Sequence, residues 1–364
     1  MLNFVATRYT RRQNMAHKPV LLKEVIEFLD PKPDETFIDA TFGDGGHSTE
    51  ILKRNAPNGK VLGIDLDQKA IEEFDGSYFT EATQDGRGLD SRSIFIYASE
   101  PPTATAGTPR QNRSGVEPLP FTSVQDKPFM EGKRLFLFQG NFAQIGEIAR
   151  SAHFNNVNGI LFDLGFRTFH IEDSGRGFSF QKDEPLDMRY DASFGKTAEE
   201  IINSYSETEL ERIFKEYGEE RNYKRIARAI AEIRRKNRIR TSGELVEIID
   251  AANMSDMSYR SYRIKTLARI FQALRIEVNG ELENIKSGLN GAWDVIKPGG
   301  KIAIISFHSL EDRIAKNFFA DKKKAGVGEI LTKKPVTASE EEIRDNSKSR
   351  SAKLRVIKKS ATSQ

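Results

Sequence analysis

Residues 36–48 read TFIDATFGDGGHS, and this stretch decides the fold. Thr36-Phe37-Ile38-Asp39-Ala40 is short, apolar and β-branched, which predicts a buried strand. Gly43-Asp44-Gly45-Gly46-His47 predicts a tight turn, since glycine permits positive φ and lets a ligand approach where a Cβ would clash. Ser48 to Arg54 reads as the helix that follows, with free backbone N–H donors at its start. Val61 to Asp65 reads as the next strand. Strand, glycine turn, helix, strand is the opening unit of a parallel α/β sheet.

The dinucleotide fingerprint G-x-G-x-x-G would require glycine at position 48, where Ser48 stands. Asp65 lies 20 residues beyond Gly45, at the end of the second strand. A carboxylate there can accept both hydroxyls of a ribose; it repels a phosphorylated ribose and needs no pyrophosphate nearby. The turn and Asp65 together point to an adenosine cofactor. A nicotinamide-dependent oxidoreductase is the competing enzyme class, and Ser48 counts against it.

Outward from this unit, Val20 to Leu29 carries apolar residues at helical spacing and stops at Asp30-Pro31. A helix begins at Asp67 and is soon interrupted. Residues 76–133 hold six of the thirteen prolines and six glycines, the composition of a largely disordered surface insertion, with only Ser93 to Ala98 patterned as a strand. The α/β rhythm resumes with strands at 134–138 and 159–163 around a helix at 142–151. From about Ile171 to Glu283 the chain turns helical and charged. Helix 281–296, the turn Lys297-Pro298-Gly299-Gly300 and strand Lys301 to Ser306 return to the α/β pattern. The expected organisation is an N-terminal extension (1–14), the first part of an α/β domain (15–170), an inserted helical substrate-recognition domain (171–283), and the second part of the α/β domain with a basic C-terminal tail (284–364).

Composition bounds the chemistry. The 364 residues include 56 Lys+Arg against 53 Asp+Glu, a net charge of +3, so any nucleic-acid surface must arise by local clustering. Cysteine is absent, which excludes disulfides, thiolate nucleophiles, iron–sulfur ligation and cysteine zinc sites. The absence fits a reducing compartment, and a cytoplasmic location is the expectation. No apolar run approaches the ~20 residues of a membrane span. Residues 1–14 carry Arg8, Arg11 and Arg12 without an apolar signal core; the simplest reading is an upstream start, with Met15 opening the chain proper.

Eight ordered stretches then resemble one known family: HKPVLLKEV (17–25), TFGDGGHS (41–48), GIDLD (63–67), RGFSFQKDEPLDMR (176–189), YGEERNYKRIARAI (217–230), FQALRIEVNGELE (271–283), SFHSLEDR (306–313) and RSAKLRV (350–356). They look like the bacterial small-subunit ribosomal RNA methyltransferase H family, formerly MraW. The resemblance covers about 17–75 and 134–357. It implies a Rossmann-like class I methyltransferase sheet with an inserted all-helical domain. It also implies methyl transfer from S-adenosyl-L-methionine to N4 of a cytidine in 16S rRNA, in the decoding region of the small ribosomal subunit. The family's cofactor contacts fall on Gly45, Gly46, His47, Asp65, Phe142, Asp163 and His170. One departure stands beside the expected transfer position: Phe166-Arg167-Thr168 follow Asp163-Leu164-Gly165, where the family has small residues.

The exocyclic amine of cytosine is a poor nucleophile, because its lone pair is delocalised into the ring. An acceptor beside it would orient the lone pair and ease loss of a proton. Asp163 is the first candidate for that role by its strand-end position, with Ser306 and His308 next; a carboxylate that only binds cofactor is the alternative for Asp163, and a structural residue packing the last strand is the alternative for His308. His308, Glu311 and Asp312 have metal-ligand spacing, but a helix start with acids near its N-terminus is the reading taken, and no metal is expected. For RNA, residues 221–240 hold nine Lys/Arg against Glu232, with an apolar stripe at Ile226, Ala227, Ile230 and Ile233. Arg225 and Arg228 are the expected phosphate contacts. Arg176, Phe178, Asp187 and Arg189 are substrate candidates, with core packing and an internal ion pair as the alternatives. The expected partner is 16S rRNA or the small subunit, with a homodimer as an allowed assembly. A catalytically impaired RNA-binding assembly factor is a third functional class, kept open by the change at 166–168.

Overall fold

The structure is a computed structural model that describes residues 18–67, 71, 94–97, 132–165, 175–193, 195–253 and 260–361. The expectations for the N-terminal extension, for His170 and Phe166-Arg167-Thr168, and for most of the insertion fall outside those residues. The chain divides into two compact units, residues 1–165 with 285–364, and residues 166–284.

Unit 1 is built on one eight-stranded sheet among the described residues. Its strands are β1 (Thr36–Asp39), β2 (Lys60–Asp65), β3 (Ile94–Tyr97), β4 (Leu135–Gln139), β5 (Val157–Asp163), β6 (Ile296–Ser306), β7 (Gly328–Ile330) and β8 (Lys353–Lys359). Their order is β3-β4-β2-β1-β5-β6-β8-β7. The first six strands in that order pair in parallel, whereas β8 is antiparallel to both β6 and β7. Apart from the edge strand β3, the sheet reverses its winding at β1 and β5, the switch point of a doubly wound fold. This is the Rossmann-like α/β sheet that the resemblance implies.

Alternation along the parallel strands explains why both faces are covered. Phe37, Val61, Leu135, Leu137 and Leu161 point to one face, under helices α1 (Leu22–Leu29) and α2 (Gly46–Arg54). Ile38, Leu62, Phe136, Ile160 and Phe162 point to the other, under α3 (Ile145–Ser151), α9 (Glu281–Val295) and α10 (Ser309–Lys324).

One expectation needs correction. Tail residues 353–359 form β8, with Leu354, Val356 and Ile357 buried and Arg355 paired to Asp312 at 2.6 Å. The basic residues of this segment mislead because they lie at the strand ends or are neutralised. The strand expected at Ser93 to Ala98 is present: Ile94–Tyr97 form the edge strand β3, paired to β4.

Unit 2 is helical: α4 (Ala198–Ser204), α5 (Glu207–Glu216), α6 (Tyr223–Ile233), α7 (Ser242–Asn253) and α8 (Arg260–Asn279). Thr197 and Ser206 cap α4 and α5, each with a reciprocal Glu three residues on. Leu210, Ile213, Phe214, Ile226, Ile230, Leu267, Phe271 and Leu274 make this unit's own core. Ile226, Ala227 and Ile230 are buried as the stripe predicts, whereas Ile233 at its end is 38% exposed.

Candidate functional site at the carboxyl edge of the sheet

Three neighbouring parallel strands end in aspartate: FID on β1, GID on β2 and LFD on β5. Their carboxyl ends share one edge of the sheet, which is where open α/β folds bind ligands.

The glycine turn leaves β1 at this edge. Gly43 and Gly45 take φ of 55° and 76°. Gly46 opens α2 with no side chain capping the helix start. A Cβ on Gly46 would lie 2.3 Å from Pro19 Cγ, so only glycine fits beneath the Pro19 ring. The carboxylate of Asp65 fixes the turn from the next strand: Gly43 N–H donates to Oδ2 at 2.7 Å and Asp67 N–H to Oδ1 at 2.9 Å. A carboxylate oxygen can accept two hydrogen bonds, which is the capacity a ribose-binding role asks of Asp65.

Phe142 stands one strand further along the edge. Gly140 N–H donates to Asp65 C=O, and Asn141 caps a 3-10 turn over Phe142–Gln144 through Ala143 N–H. The Phe142 ring meets Phe162 edge-on at 5.8 Å and packs on Gly288. Its partly buried face suits a planar base.

On the other side of the turn the site becomes acidic. Asp39, at the end of β1, is buried; Ser48 Oγ donates to its Oδ2 at 2.7 Å and Thr41 N–H to its Oδ1 at 3.3 Å. Burial pushes Asp39 up to about 6, against the pull of the Ser48 hydroxyl. Asp163 ends β5; its backbone N–H donates to Thr41 Oγ1 at 2.6 Å, and Gly165 N–H reaches its Oδ1 at 3.4 Å. Burial first, then the Asp39 charge and, after the Gly165 bond that opposes it, the Glu311 charge, push Asp163 up to about 7. His47 completes the group, with Nδ1 3.9 Å from Asp163 Oδ2 and Nε2 3.0 Å from Val20 C=O. A carbonyl only accepts, so Nε2 carries the proton and Nδ1 is the atom turned toward Asp163.

Thus the structure brings Gly45, Gly46, His47, Asp65, Phe142 and Asp163 to one edge. Asp39, Thr41 and Ser48 join them without having been singled out as site residues. The signal for Asp39 was available, because a third strand-terminal aspartate repeats the pattern of Asp65 and Asp163. Ser48, which breaks the dinucleotide fingerprint, serves as the hydrogen-bond donor to that aspartate.

Ser306 and the acids of the SFHSLEDR motif have internal work, whereas the buried ring nitrogens of His308 make no hydrogen bond among the described residues. Ser306 is buried at the end of β6 and its hydroxyl donates to Lys353 C=O at 3.3 Å, which ties β6 to β8. That bond accounts for the serine structurally and weighs against a catalytic role. His308 precedes α10, where Glu311 accepts from Phe307 N–H at 2.7 Å and His308 N–H at 3.2 Å; His308 Nε2 lies 3.1 Å from Glu311 Oε1. Asp312 is engaged by Arg355 and Lys353, so the acids of this motif belong to the helix start.

In unit 2, Arg189 holds Asp187 with two bonds of 2.7 and 2.9 Å. Arg176 donates to the carbonyls of Arg189 and Tyr190, and Phe178 stacks on Tyr190 at 5.6 Å. This knot organises the RGFSF–PLDMR loop from within and favours the ion-pair and packing alternatives. Arg225 donates to Asn253 Oδ1 at 2.7 Å. Arg228 is 70% exposed and lies 3.7 Å from Glu207. Arg221, Lys224, Arg235, Lys236, Arg238 and Arg240 are exposed as well, so the basic stretch is a surface.

A family model for the MraW methylase family matches residues 14–84 and 123–360. The chain is similar to ribosomal RNA small subunit methyltransferase H of Persephonella marina, at 42% identity over 343 residues, spanning 94% of this chain and 99% of that one. It is similar to the protein of the same name from Syntrophotalea carbinolica, at 38% identity over 96% and 99% of the two chains. The namesake from a Sulfurihydrogenibium species is 40% identical over 93% and 98%.

Proposed function

Because the chain belongs to the MraW methylase family, we propose that it transfers a methyl group from S-adenosyl-L-methionine to N4 of a cytidine in the 16S rRNA of the small ribosomal subunit, in the decoding region. The observation that carries this reading is the row of groups along one sheet edge. Phe142, Asp65, the glycine turn and the Asp39–His47–Asp163 cluster follow one another in that order. From β4 to β5 the row spans three strand spacings, about 14 Å. Its chemistry changes along that line from aromatic, to ribose-binding carboxylate, to backbone N–H donors, to the buried Asp39 and half-buried Asp163 carboxylates.

Those residues fit the cofactor. Phe142 would cover the adenine, Asp65 would take the ribose hydroxyls, and the N–H groups at the start of α2 would take the carboxylate. Asp163 and His47 would stand at the methionine end. The cofactor supplies a methyl group already activated on a sulfonium, so the reaction asks positioning and proton handling of the protein. Asp163 accepts a hydrogen bond from the cytosine amine, which orients the nitrogen lone pair, and takes the proton that the amine loses on methylation. A carboxyl with a pKa near 7 suits that exchange at neutral pH. Asp39 tunes it by its charge; Ser48 Oγ and Thr41 N–H hold the Asp39 carboxylate, and Thr41 Oγ1 holds the Asp163 backbone N–H.

The exposed basic residues around α6, Arg225 and Arg228 among them, supply phosphate contacts from unit 2. The proposal requires one chain only, and a cytoplasmic location belongs to it. Among the described residues no helix is long and apolar enough to cross a membrane.

The test is transfer of tritiated methyl from S-adenosylmethionine to small subunits isolated from cells lacking the gene, followed by mapping of the modified nucleotide. Label at N4 of one 16S cytidine is the expected result. Tight RNA binding without incorporation would instead support the assembly-factor reading.

A further inference from the structure

One peptide group of the N-terminal segment is held from both sides. The Val20 carbonyl accepts from His47 Nε2 at 3.0 Å. The N–H of the same peptide, belonging to Leu21, donates to Glu342 Oε1 at 2.7 Å. Glu342 lies 321 residues from Leu21, in the short helix α11 (Glu340–Asp345).

This peptide needs holding. Leu21 has φ of 53°, a left-handed conformation that costs a non-glycine residue about 1 kcal/mol or more and persists only where its surroundings impose it. Two further bonds tie the same segments together: Lys18 Nζ to Asp345 Oδ2 at 3.2 Å, and Asn346 Nδ2 to Lys18 C=O at 3.0 Å. The C-terminal side is itself anchored, because Val336 and Leu354 exchange backbone hydrogen bonds at the start of β8 and Ser339 caps α11 through Glu342 N–H. On the other side, the Pro19 ring lies on Gly46.

We propose that Glu342 is a positioning residue for the cofactor end of the site, acting through the Val20–Leu21 peptide on His47. The carboxylate fixes the peptide plane and polarises it, since an amide whose N–H is bound to a charged acceptor becomes a stronger acceptor at its oxygen. The carbonyl in turn fixes the His47 ring and keeps its proton on Nε2, leaving Nδ1 turned to Asp163. A residue in the last 25 of the chain thereby sets the geometry of a residue in the glycine turn. That His47 serves cofactor binding rests on the proposed function; the chain of bonds from Glu342 to His47 does not.

The experiment compares wild type with Glu342→Ala, Glu342→Gln and Asp345→Asn in the full chain. Imidazole nitrogen NMR reads the His47 tautomer, calorimetry reads affinity for S-adenosylmethionine, and steady-state rates separate KM from kcat. Wild type should show the Nε2–H form. Glu342→Ala should give a mixed or shifted His47 signal and weaken cofactor binding roughly tenfold, the effect of about one charged hydrogen bond. Its kcat at saturating cofactor should stay within about twofold. Glu342→Gln keeps an oxygen for Leu21 N–H and should restore most of the affinity, whereas Asp345→Asn, which leaves the peptide untouched, should match wild type in both readouts. A wild-type His47 signal in Glu342→Ala would overturn the proposal, as would equal losses in the Ala and Asp345→Asn variants. If Glu342→Ala does not fold, Glu342→Asp decides: its carboxylate sits one methylene short of Leu21 N–H, so a mixed or shifted His47 signal with weakened affinity is expected, and a wild-type signal overturns the proposal. If wild type fails to bind S-adenosylmethionine, the proposed function fails, and the tautomer comparison still decides whether Glu342 governs His47.

Discussion

Asp39 and Asp163 are acids held near neutrality by their surroundings, and each gives a measurable consequence. The proton-accepting role proposed for Asp163 requires its ionised form, so kcat/KM for the RNA substrate should rise as pH passes upward through about 7 and level off above it. Asp163→Asn should lower the rate by at least a hundredfold and flatten that profile; a variant that binds cofactor normally and keeps the full rate would remove the proton-accepting role. For Asp39 the readout is stability. Its folded pKa lies above the unfolded value, so the folded state binds the extra proton, and stability is lost as pH rises through about 6. Asp39→Asn relieves that cost and can still accept the Ser48 hydroxyl. It should raise stability by on the order of 1–2 kcal/mol at pH 8 and change little at pH 4, measured by urea unfolding at both values. The residue scale is also where reading the sequence reached least far. Asp65 was legible because a strand end and a fixed spacing announced it. Ser48 was legible only as a missing glycine, since its hydrogen bond to Asp39 depends on how far the turn folds back over β1.

Among the elements, the glycine turn and the basic helix carry the clearest expectations. A methyl group at Gly46 would overlap Pro19, and ring and helix cannot both stay in place. Gly46→Ala should therefore weaken cofactor binding by tenfold or more while leaving the far-ultraviolet circular dichroism unchanged, because the helix itself tolerates alanine. On α6, Arg228 points to solvent with only a loose acidic neighbour. Arg228→Ala should weaken RNA binding and lower the slope of log K against log salt by roughly one, as for a lost phosphate contact. Arg225→Ala should in addition destabilise unit 2, since this arginine also holds Asn253. Strands β1, β2, β4 and β5 were readable from apolar runs bounded by turn residues. β8 was not, because KLRVIKK alternates charge with apolar residues and only its partners decide that Arg355 is neutralised inside the fold.

At the scale of the whole molecule, the sequence announces a helical segment interrupting an α/β rhythm, and the two units each have their own core. Residues 166–284 form a continuous segment, so this piece expressed alone should give helical circular dichroism and a cooperative thermal transition; a non-cooperative melt would show that its core needs the rest of the chain. Unit 1 has no such independence, because its sheet is assembled from segments on both sides of that insert. The place of β8 sharpens the point. It lies between β6 and β7, so the last of the described strands along the chain is an interior strand of the sheet and not its border. While the chain is still being made, the flank of β6 must wait with open N–H and C=O groups until residues 353–359 have been added. A stop codon near position 350 would leave that flank bare, and such a fragment should accumulate in inclusion bodies although it retains every residue of the cofactor edge.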